Sequence, residues 1–445
     1  MTTGFPVLAR LTGAAGGVPN LRVAEYPGAV GIHDAASISK NVREVLFERV
    51  VEGLTRPEQA RTTDGAAVTW NPAKTVCSGT FDEVNRHFAQ REWTDGLPIV
   101  PPTRERVERF LRFIERAPDE EIAVLQSANL KAVPWNIAAN AVMAGCRPEH
   151  MPLLVAAVEA LGDERASLNN IGSTSMILPY VLVNGPLVRT LGMECGGQLV
   201  SRGTNPAIGR AIGLIIRNIA GFRPGKTYMG TFGYPLVFAL AEDEQASPWP
   251  PFHVDHGFSP DTSTVTVGVT CSWGPSLEVS STQEQSGAET ALEVLRRTIP
   301  RMARLYDFPG RGPHAEKVMI TLLLSPPVAK SLADAGYTKQ DVKQYVYENG
   351  RMPLAEFEWL TSHTFPSRVT VREKARSGIL PEEFLGKPED SIRLLSSPDI
   401  VHVVVCGDSN RNRVMGFEGG HTQPTTREIR LPRNWNVLLE EASQW

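Results

Sequence analysis

Two uninterrupted apolar runs in the last third of the chain, KVMITLLL (317–324) and IVHVVVCGDSN (400–410), place the strongest constraint on the fold. Apolar runs of this length without polar alternation are typical of strands that are buried on both faces. Between the two runs, Ser325 with Pro326, and further on Thr338, are suited to begin helices. Buried strands that alternate with helices predict an α/β fold in which mixed sheet layers have flanking helices.

The rest of the chain supports the same fold class. Runs rich in β-branched and aromatic residues predict three further strands, in SMILPYVLVNGP (175–186), YPLVFALAE (234–242) and TSTVTVGVTCSW (262–273). Apolar residues at helical spacing predict helices over 38–52, 104–116, 135–145, 148–161 and 283–306.

The length and composition fit several packed units. A chain of 445 residues exceeds the usual size of one domain, and a content of 42% hydrophobic and 21% charged residues is ordinary for a globular protein. We predict an N-terminal arm with one helix over 1–85, a helical and then β-rich main domain over 86–310, and a C-terminal α/β subdomain over 311–445.

Charge and hydropathy argue against two classes of partner. The net charge of −4 gives the surface no overall attraction for nucleic acid. Residues 1–30 contain no apolar run long enough for a secretion signal, and the most apolar tract, 176–183, is too short to span a bilayer. The sequence therefore predicts a cytoplasmic protein that binds neither nucleic acid nor membrane, and a homo-oligomer is the default expectation for its assembly.

The cysteines are the residues with the most reactive side chains. None lies in a Cys-x-x-Cys pair, and their odd number and wide spacing argue against a disulfide framework or a local zinc site. We predict that all are free thiols: Cys77, Cys146, Cys195, Cys271 and Cys406. The sequence names no cofactor.

The most informative loop is GMECGGQLVSRGTNPAIGRAI, residues 192–212. Its glycines allow a ligand to approach the backbone closely, and Thr204 or Asn205 is suited to begin the helix that follows. Free backbone N–H groups at a helix start bind anions. The predicted site for a small anionic substrate combines these groups with two arginines: Gly196, Gly197, Arg202, Thr204, Asn205 and Arg210. The alternative is a tight turn before a close-packed core helix.

Cys195 is the thiol that this loop favours for chemistry. Neighbouring glycines should leave it accessible, and an adjacent helix start would lower its pKa and raise the fraction of thiolate, the form that acts as nucleophile or redox group. Glu194 opposes that shift. Many free cysteines are only small buried apolar residues, and that interpretation stays open here.

The stretch HVDH, residues 253–256, contains the other candidate catalytic groups. We predict that it lies on a strand and that His253 or His256 carries protons in catalysis. The alternative is a metal-dependent hydrolase or oxygenase, because two histidines and a carboxylate could hold iron or zinc if His402 or His421 joined them. No metal ligand is assigned.

The stretch WTDGLPIVPPT, residues 93–103, is stiff because Pro98, Pro101 and Pro102 favour extended backbone. Such a segment suits either a connector between domains or a pocket wall. In the second case its carboxylate, Asp95, would complete the predicted substrate-binding set.

Four stretches together resemble a known group of proteins: WTDGLPIVPPT (93–103), NPAIGRAI (205–212), SPWPPFHVDHGF (247–258) and SPPVAKSLADAGYTKQDV (325–342). Over about residues 85–410 the chain is similar to large bacterial proteins associated with the UGSC family, which is named for a selenocysteine or cysteine followed by Gly-Ser-Cys. The resemblance implies thiol or selenol redox chemistry. This chain contains no Cys-Gly-Ser-Cys, so no catalytic residue is carried over from the family motif.

The first hypothesis is an enzyme that acts on a small anionic metabolite by thiol-dependent redox or lyase chemistry. Cys195 would be the reacting thiol, and His253 or His256 the proton carrier. The second is a non-catalytic substrate-binding or scaffold subunit, whose partner protein would supply the reactive thiol or selenol. The third is the metal-dependent enzyme built on HVDH.

Overall fold

A computed structural model of the chain describes residues 1–57, 74–174, 177–233, 237–270, 273–303, 320–364, 369–418 and 425–442. Its helices are α1 (Pro6–Ala15), α2 (Ala35–Asn41), α3 (Phe47–Thr55), α4 (Phe81–Gln90), α5 (Arg104–Leu111), α6 (Pro134–Ala144), α7 (Met151–Leu161), α8 (Leu187–Thr190), α9 (Asn205–Asn218), α10 (Phe252–Asp255), α11 (Gly287–Ala303), α12 (Pro326–Asp334), α13 (Lys339–Asn349), α14 (Leu354–Thr364), α15 (Val371–Arg376) and α16 (Trp435–Ala442). Among the described residues, no helix has the length and apolar composition that a membrane span requires.

The strands are β1 (Ala123–Leu125), β2 (Leu130–Ala132), β3 (Leu178–Asn184), β4 (Phe238–Ala241), β5 (Thr264–Thr270), β6 (Leu277–Glu278), β7 (Ile320–Leu324), β8 (Arg351–Pro353), β9 (Ser391–Arg393), β10 (Val401–Val405), β11 (Arg413–Glu418) and β12 (Thr425–Glu428). Two sheets contain four strands each, in the orders β12–β5–β3–β4 and β10–β7–β11–β6. The predicted α/β class is confirmed. The apolar run at 317–324 begins outside the described residues, and its described part is β7.

The two four-stranded sheets have the same pattern of one parallel and one antiparallel pair around a central strand. β3 is parallel to β4 and antiparallel to β5, and β7 is likewise parallel to β10 and antiparallel to β11. The strands of the second sheet, β6, β7, β10 and β11, all come after β5 in the chain, whereas β12 comes after all of them and pairs with β5 of the first sheet. The return of β12 to the first sheet therefore ties the two sheets together, and the sequence shows no repeat of fixed period.

The two sheets pack face to face, and helices cover their outer faces. The hydroxyl oxygens of Tyr180 and Thr321 are 2.7 Å apart between the sheets. Apolar side chains from both sheets fill this inner layer: Tyr180, Leu182, Leu240, Phe252, Leu323, Val404, Cys406 and Phe417. α7 and α9 pack on the first sheet, and α11 and α13 pack on the second. The order of layers is thus helix, sheet, sheet, helix.

Capping residues set several helix boundaries where the sequence predicts them. α6 ends at Gly145, whose φ of +83° is readily adopted only by glycine. α13 begins with a capping box in which Thr338 and Asp341 satisfy each other's backbone N–H groups. α5 ends at Leu111 rather than at Arg116, because the chain tightens there into a turn of the 3₁₀ type.

The prediction of a strand over HVDH is wrong, because residues Phe252–Asp255 form the short helix α10. Pro251 precedes the helix in an extended conformation. The backbone N–H of Phe252 donates to the Glu242 carboxylate at 2.7 Å, which gives the helix start the negatively charged partner that helix starts favour. This long-range contact decides the local structure.

The N-terminal arm contains α1, α2 and α3. A π turn at 42–46 joins α2 to α3, so the predicted helix over 38–52 is confirmed and extends at both ends. Large apolar side chains of this arm are exposed to solvent, with exposed fractions of 84% for Ile32, 64% for Phe47 and 78% for Leu54.

The C-terminal residues pack on the first sheet and not on the second. β12 pairs with β5, and Trp435 and Leu438 of α16 belong to the hydrophobic core on the helix-covered face of that sheet. The core of the second sheet draws on residues 279–346 and 395–414. The boundaries at 85 and 310 stay predictions.

Candidate functional site

The carboxyl ends of β4 and β10, one edge strand from each sheet, meet at one place. The N–H of Asp243 donates to the carbonyl oxygen of Val405 at 2.8 Å, and the N–H of Val405 lies 3.5 Å from a carboxylate oxygen of Glu242. In α/β layers, ligands collect where loops leave the carboxyl ends of strands. We call this junction the strand-end site and define it by Glu242, Asp243, Cys195 and Cys406.

Two cysteines from different parts of the chain meet at the strand-end site. Cys195 lies in the loop before α9 and is partly buried, whereas Cys406 follows β10 and is only 3% exposed. The N–H of Gly407 donates to the carbonyl oxygen of Cys195 at 2.8 Å. The loop and the strand end are thus joined directly beside both thiols.

The surroundings of the two thiols favour their protonated forms. Burial raises the pKa of Cys195 to about 11, and the carboxylates of Asp243 and Glu194 act in the same direction. Burial also raises the pKa of Cys406, as do Glu242, Cys195 and Asp243. The predicted lowering of the Cys195 pKa is therefore wrong, because burial and acidic neighbours outweigh the adjacent helix start.

A buried polar cluster adjoins the strand-end site. The amide nitrogen of Asn184 donates to Glu242 at 2.7 Å and to Glu244 at 3.1 Å. Glu244 also accepts from the N–H of Gly185 at 2.7 Å. Burial raises the pKa of Glu242, and the Lys339 ammonium 3.7 Å away opposes that shift.

His253 lies in this cluster with no exposed surface. Its Nδ1 is 3.6 Å from a carboxylate oxygen of Glu244, and neither ring nitrogen has a hydrogen-bond partner among the described residues. Asn184 Oδ1 and Thr264 Oγ1 are buried and unpartnered in the same way, and the two residues face each other on β3 and β5. Buried polar atoms left without partners cost about 1–3 kcal/mol each, so such a cluster is suited to hold water or a polar ligand group.

His256 has a different environment. Its Nδ1 lies 2.8 Å from the carbonyl oxygen of Phe252, and its ring centroid is 5.5 Å from that of His402. Burial lowers the pKa of both imidazoles. The described residues contain no group of three or more His, Cys, Asp or Glu side chains that could hold a metal ion, and His421 lies outside them.

Each arginine of the predicted anion site is paired with a carboxylate. Arg210 makes two hydrogen bonds to Asp95, at 2.8 and 2.9 Å, and a third to the carbonyl oxygen of Pro98 at 2.8 Å. Arg202 lies 3.5 Å from Glu194. An anion could reach the Arg210 guanidinium only by displacing Asp95, whereas the Arg202 side chain is 67% exposed and keeps N–H groups that Glu194 does not contact.

The residues at the start of α9 hold the Cys195 loop. Asn205 is fully buried, and its side chain bonds to the backbone of Glu194 and Leu199 at 2.8–2.9 Å. Thr204 donates to the carbonyl oxygen of Leu191 at 3.1 Å and does not cap the helix with its side chain. The two side chains thus stabilise the loop that carries the thiol.

Gly196 and Gly197 lie beside the turn after β10, at separations from that turn that would be ordinary contacts for a side chain. A side chain at Gly197 would place its first carbon 3.5 Å from the Asp408 carboxylate, and one at Gly196 would lie 4.0 Å from the carbonyl oxygen of Gly407. The N–H of Gly196 donates to Glu194 at 2.8 Å.

A basic cavity of about 760 Å³ opens beside the start of the same loop. Arginines of α5 and of the turn after α6 line it: Arg106, Arg109 and Arg147. Glu149 lines it as well and forms an ion pair with Arg147 at 2.8 Å. The Arg147 guanidinium donates to the carbonyl oxygen of Leu191 at 3.3 Å, so the cavity adjoins the Cys195 loop. Cys146 also lines the cavity, and burial raises its pKa.

Sequence reasoning did not single out the acidic segment 242–244, Asn184 or Lys339. Asn184 is the last residue of β3 and residues 242–244 follow β4, so the rule that ligands lie at the carboxyl ends of strands was a usable signal for them. Lys339 has no such signal, because it reaches Glu242 and Asp255 only through the packing of α13 beside α10.

No family model, curated protein or solved structure matches the chain. The resemblance to proteins associated with the UGSC family therefore stays a prediction.

Proposed function

We propose that the chain is a cytoplasmic enzyme that acts on a small anionic metabolite by thiol-dependent redox or lyase chemistry, with Cys195 as the reacting thiol. One observation carries the proposal: a partly buried thiol, a second thiol and a carboxylate are held together where the carboxyl ends of β4 and β10 meet.

The site supports chemistry in which the thiol loses its proton as it reacts. Because the pKa of Cys195 is raised to about 11, the free thiolate is a minor species at neutral pH. Asp243 is the nearby carboxylate that can accept the proton during attack. His253, 3.6 Å from Glu244, is the candidate second proton carrier, with Glu244 as the group that would orient its ring.

The basic cavity supports the anionic character of the substrate. Its three arginines come from two neighbouring segments, and guanidinium groups bind carboxylate and phosphate groups in two-pronged geometry. Two of them are paired with carboxylates, Arg147 with Glu149 and Arg109 with Glu105, as Arg202 and Arg210 are with Glu194 and Asp95. Arg106 has no carboxylate partner among the described residues, and we propose that the anionic end of the metabolite binds beside it.

Iodoacetamide labelling followed by peptide mass spectrometry tests the role of Cys195. In the native chain, we expect labelling of Cys195 and protection of the buried Cys406. The activity test incubates the chain with a dithiol reductant and a mixture of small carboxylates and phosphate esters. The wild type and Cys77→Ser should convert a component of this mixture, and Cys195→Ser should not. Full turnover by Cys195→Ser, or a Cys195 that is inert in the folded chain, would contradict the proposal.

A scaffold subunit is the second candidate function, and the exposed apolar side chains of the arm favour it. Ile32, Phe47 and Leu54 present a surface that a partner protein could cover. The scaffold hypothesis predicts no turnover by the purified chain alone, together with turnover when a partner with a reactive thiol or selenol is added. An active homo-oligomer would rule it out.

A further inference from the structure

We propose that Cys406 is the second thiol of the strand-end site and that Cys195 and Cys406 form a reversible disulfide with each other. This inference rests on the proposed function, because it takes Cys195 as the thiol that first meets an oxidant.

The backbone geometry brings the Cα atoms of the two residues to about the separation that a disulfide spans. The hydrogen bond from the Gly407 N–H to the Cys195 carbonyl oxygen is 2.8 Å long. The donor nitrogen is bonded to the carbonyl carbon of Cys406, so standard bond lengths place the two Cα atoms roughly 5–7 Å apart. Disulfides join Cα atoms that are about 4.4–6.8 Å apart.

The two thiols differ in their exposure to solvent, and this difference indicates which of them reacts first with an oxidant. Cys195 is partly buried at the edge of the hydrophobic core and lies in a loop with glycines on its C-terminal side, so it is the more accessible of the two residues. Cys406 is 3% exposed and belongs to the apolar layer between the sheets. A small oxidant therefore meets Cys195 first, and Cys406 can react only with a group already bound to Cys195.

The chemistry balances with a low-molecular-weight disulfide as oxidant. Cys195 gives up its proton and attacks one sulfur of the oxidant, which forms a mixed disulfide and releases one small thiol. Cys406 then gives up its proton and attacks the sulfur of Cys195, which forms the Cys195–Cys406 bond and releases the second small thiol. The two protein thiols are oxidised, the small disulfide is reduced, and the two protons pass to the released thiolates.

The carboxylates beside the thiols make these steps slower at neutral pH. Asp243 is near both thiols, and Glu242 is near Cys406. Burial first, and these carboxylates second, raise the pKa of the two thiols, Asp243 acting on both and Glu242 on Cys406. The reaction should therefore be slow at neutral pH and faster in mild alkali.

The test uses the full chain and glutathione disulfide at about pH 8.5, with an acid quench and non-reducing peptide mapping. We expect a peptide pair linked through Cys195 and Cys406 in the wild type, and also in the control variants Cys77→Ser and Cys146→Ser. In Cys406→Ser and Cys406→Ala the link disappears. Glutathione bound to Cys195 should then be about tenfold more abundant than in the wild type, because no second thiol releases it.

The outcomes separate this inference from the function on which it rests. If Cys195 carries equal amounts of glutathione in the wild type and in both Cys406 variants, the proposed disulfide is wrong. The proposed role of Cys195 would not be affected by that result. A Cys195 that neither glutathione disulfide nor iodoacetamide modifies would overturn both. Thermal unfolding of Cys406→Ala alongside the wild type shows whether the variant is folded, and Cys406→Ser provides the same chemical test if the alanine variant is not.

Discussion

At the scale of single residues, burial is the main cause of the raised pKa of Cys195. The neighbouring carboxylates of Asp243 and Glu194 are the second cause. The loop sequence identifies an accessible thiol beside a helix start, and both features are present. It does not reveal the neighbours from distant segments, Asp243 and Cys406, since their approach depends on how two sheets meet. The local pattern thus predicts the position of the thiol but not the direction of its pKa shift.

The raised pKa predicts the pH dependence of Cys195 alkylation. In the folded chain, the rate with iodoacetamide should rise about tenfold per pH unit between about pH 7 and 10, because the thiolate fraction rises in that proportion below a pKa of about 11. Asp243→Asn should speed the reaction about two- to tenfold at a fixed pH, and Asp408→Asn is the matched control. A rate that levels off near the ordinary thiol pKa would contradict the expectation.

The pair of Arg210 and Asp95 predicts a pH-dependent contribution to stability. Burial alone would raise the pKa of Asp95, but the hydrogen bonds and charge of Arg210 outweigh it and hold that pKa below its ordinary value. The stabilisation is therefore complete above the unfolded pKa and is lost as the pH falls below about 4. Arg210→Leu should lower the free energy of unfolding by about 2–3 kcal/mol at neutral pH.

Urea unfolding of the wild type and Arg210→Leu at several pH values measures this effect. The difference should shrink as Asp95 becomes protonated. A variant of a surface ion pair, Lys330→Ala, should change little, because Lys330 and Asp334 are largely exposed. A difference that is constant down to the lowest pH would show that Arg210 acts through packing alone.

At the scale of elements, α9 illustrates how closely a helix can pack on a strand. A side chain at Gly209 would place its first carbon 2.2 Å from the carbonyl oxygen of Val237, at the start of β4. At Gly213, one turn further, the nearest atom would be 3.5 Å away, which is an ordinary contact. Only the first glycine is required by the packing, although both look alike in the sequence.

These two glycines give a matched pair of substitutions. Gly209→Ala should destabilise the chain by about 1–3 kcal/mol or more, because α9 must move away from β4. Gly213→Ala should leave stability unchanged or raise it by about 0.5–1 kcal/mol, since alanine favours the helix. Urea midpoints of the two variants measure the difference, and equal destabilisation would contradict it.

The sequence correctly predicts those helix ends that local capping residues determine. The capping residues of α13 and the glycine after α6 act within a few residues, and the predicted ends agree with the structure. α10 is different, because its start is stabilised by Glu242 from the end of β4. A local pattern cannot predict a helix that depends on a contact with a distant strand.

At the scale of the whole molecule, the return of β12 to the first sheet decides which fragments can fold. The predicted main domain over 86–310 contains β3, β4 and β5 but lacks β12, which covers the edge of β5. It also lacks α16, whose Trp435 and Leu438 complete the core of the first sheet. The strand-end site is equally a property of the whole chain, since β4 and β10 come from different sheets.

The fragment 86–310 is expected to aggregate or to unfold without a cooperative transition, because it exposes an unpaired strand edge and an open core. A fragment that joins 86–270 to 425–442 through a short Gly/Ser linker should regain a cooperative transition, since β5 and β12 are antiparallel neighbours. Circular dichroism during heating measures both. A cooperative transition in 86–310 alone would show that β12 is dispensable.

Because the ribosome synthesises the chain from its N-terminus, the late position of β12 also delays the folding of the first sheet during synthesis. After β5 has emerged, the first sheet must wait for the residues of β12, a delay of roughly ten to thirty seconds at ordinary elongation rates. During that interval the unpaired edge of β5 can form incorrect strand pairs with other nascent chains. A chain that is truncated before residue 425 would lack β12 and would keep this edge of β5 unpaired.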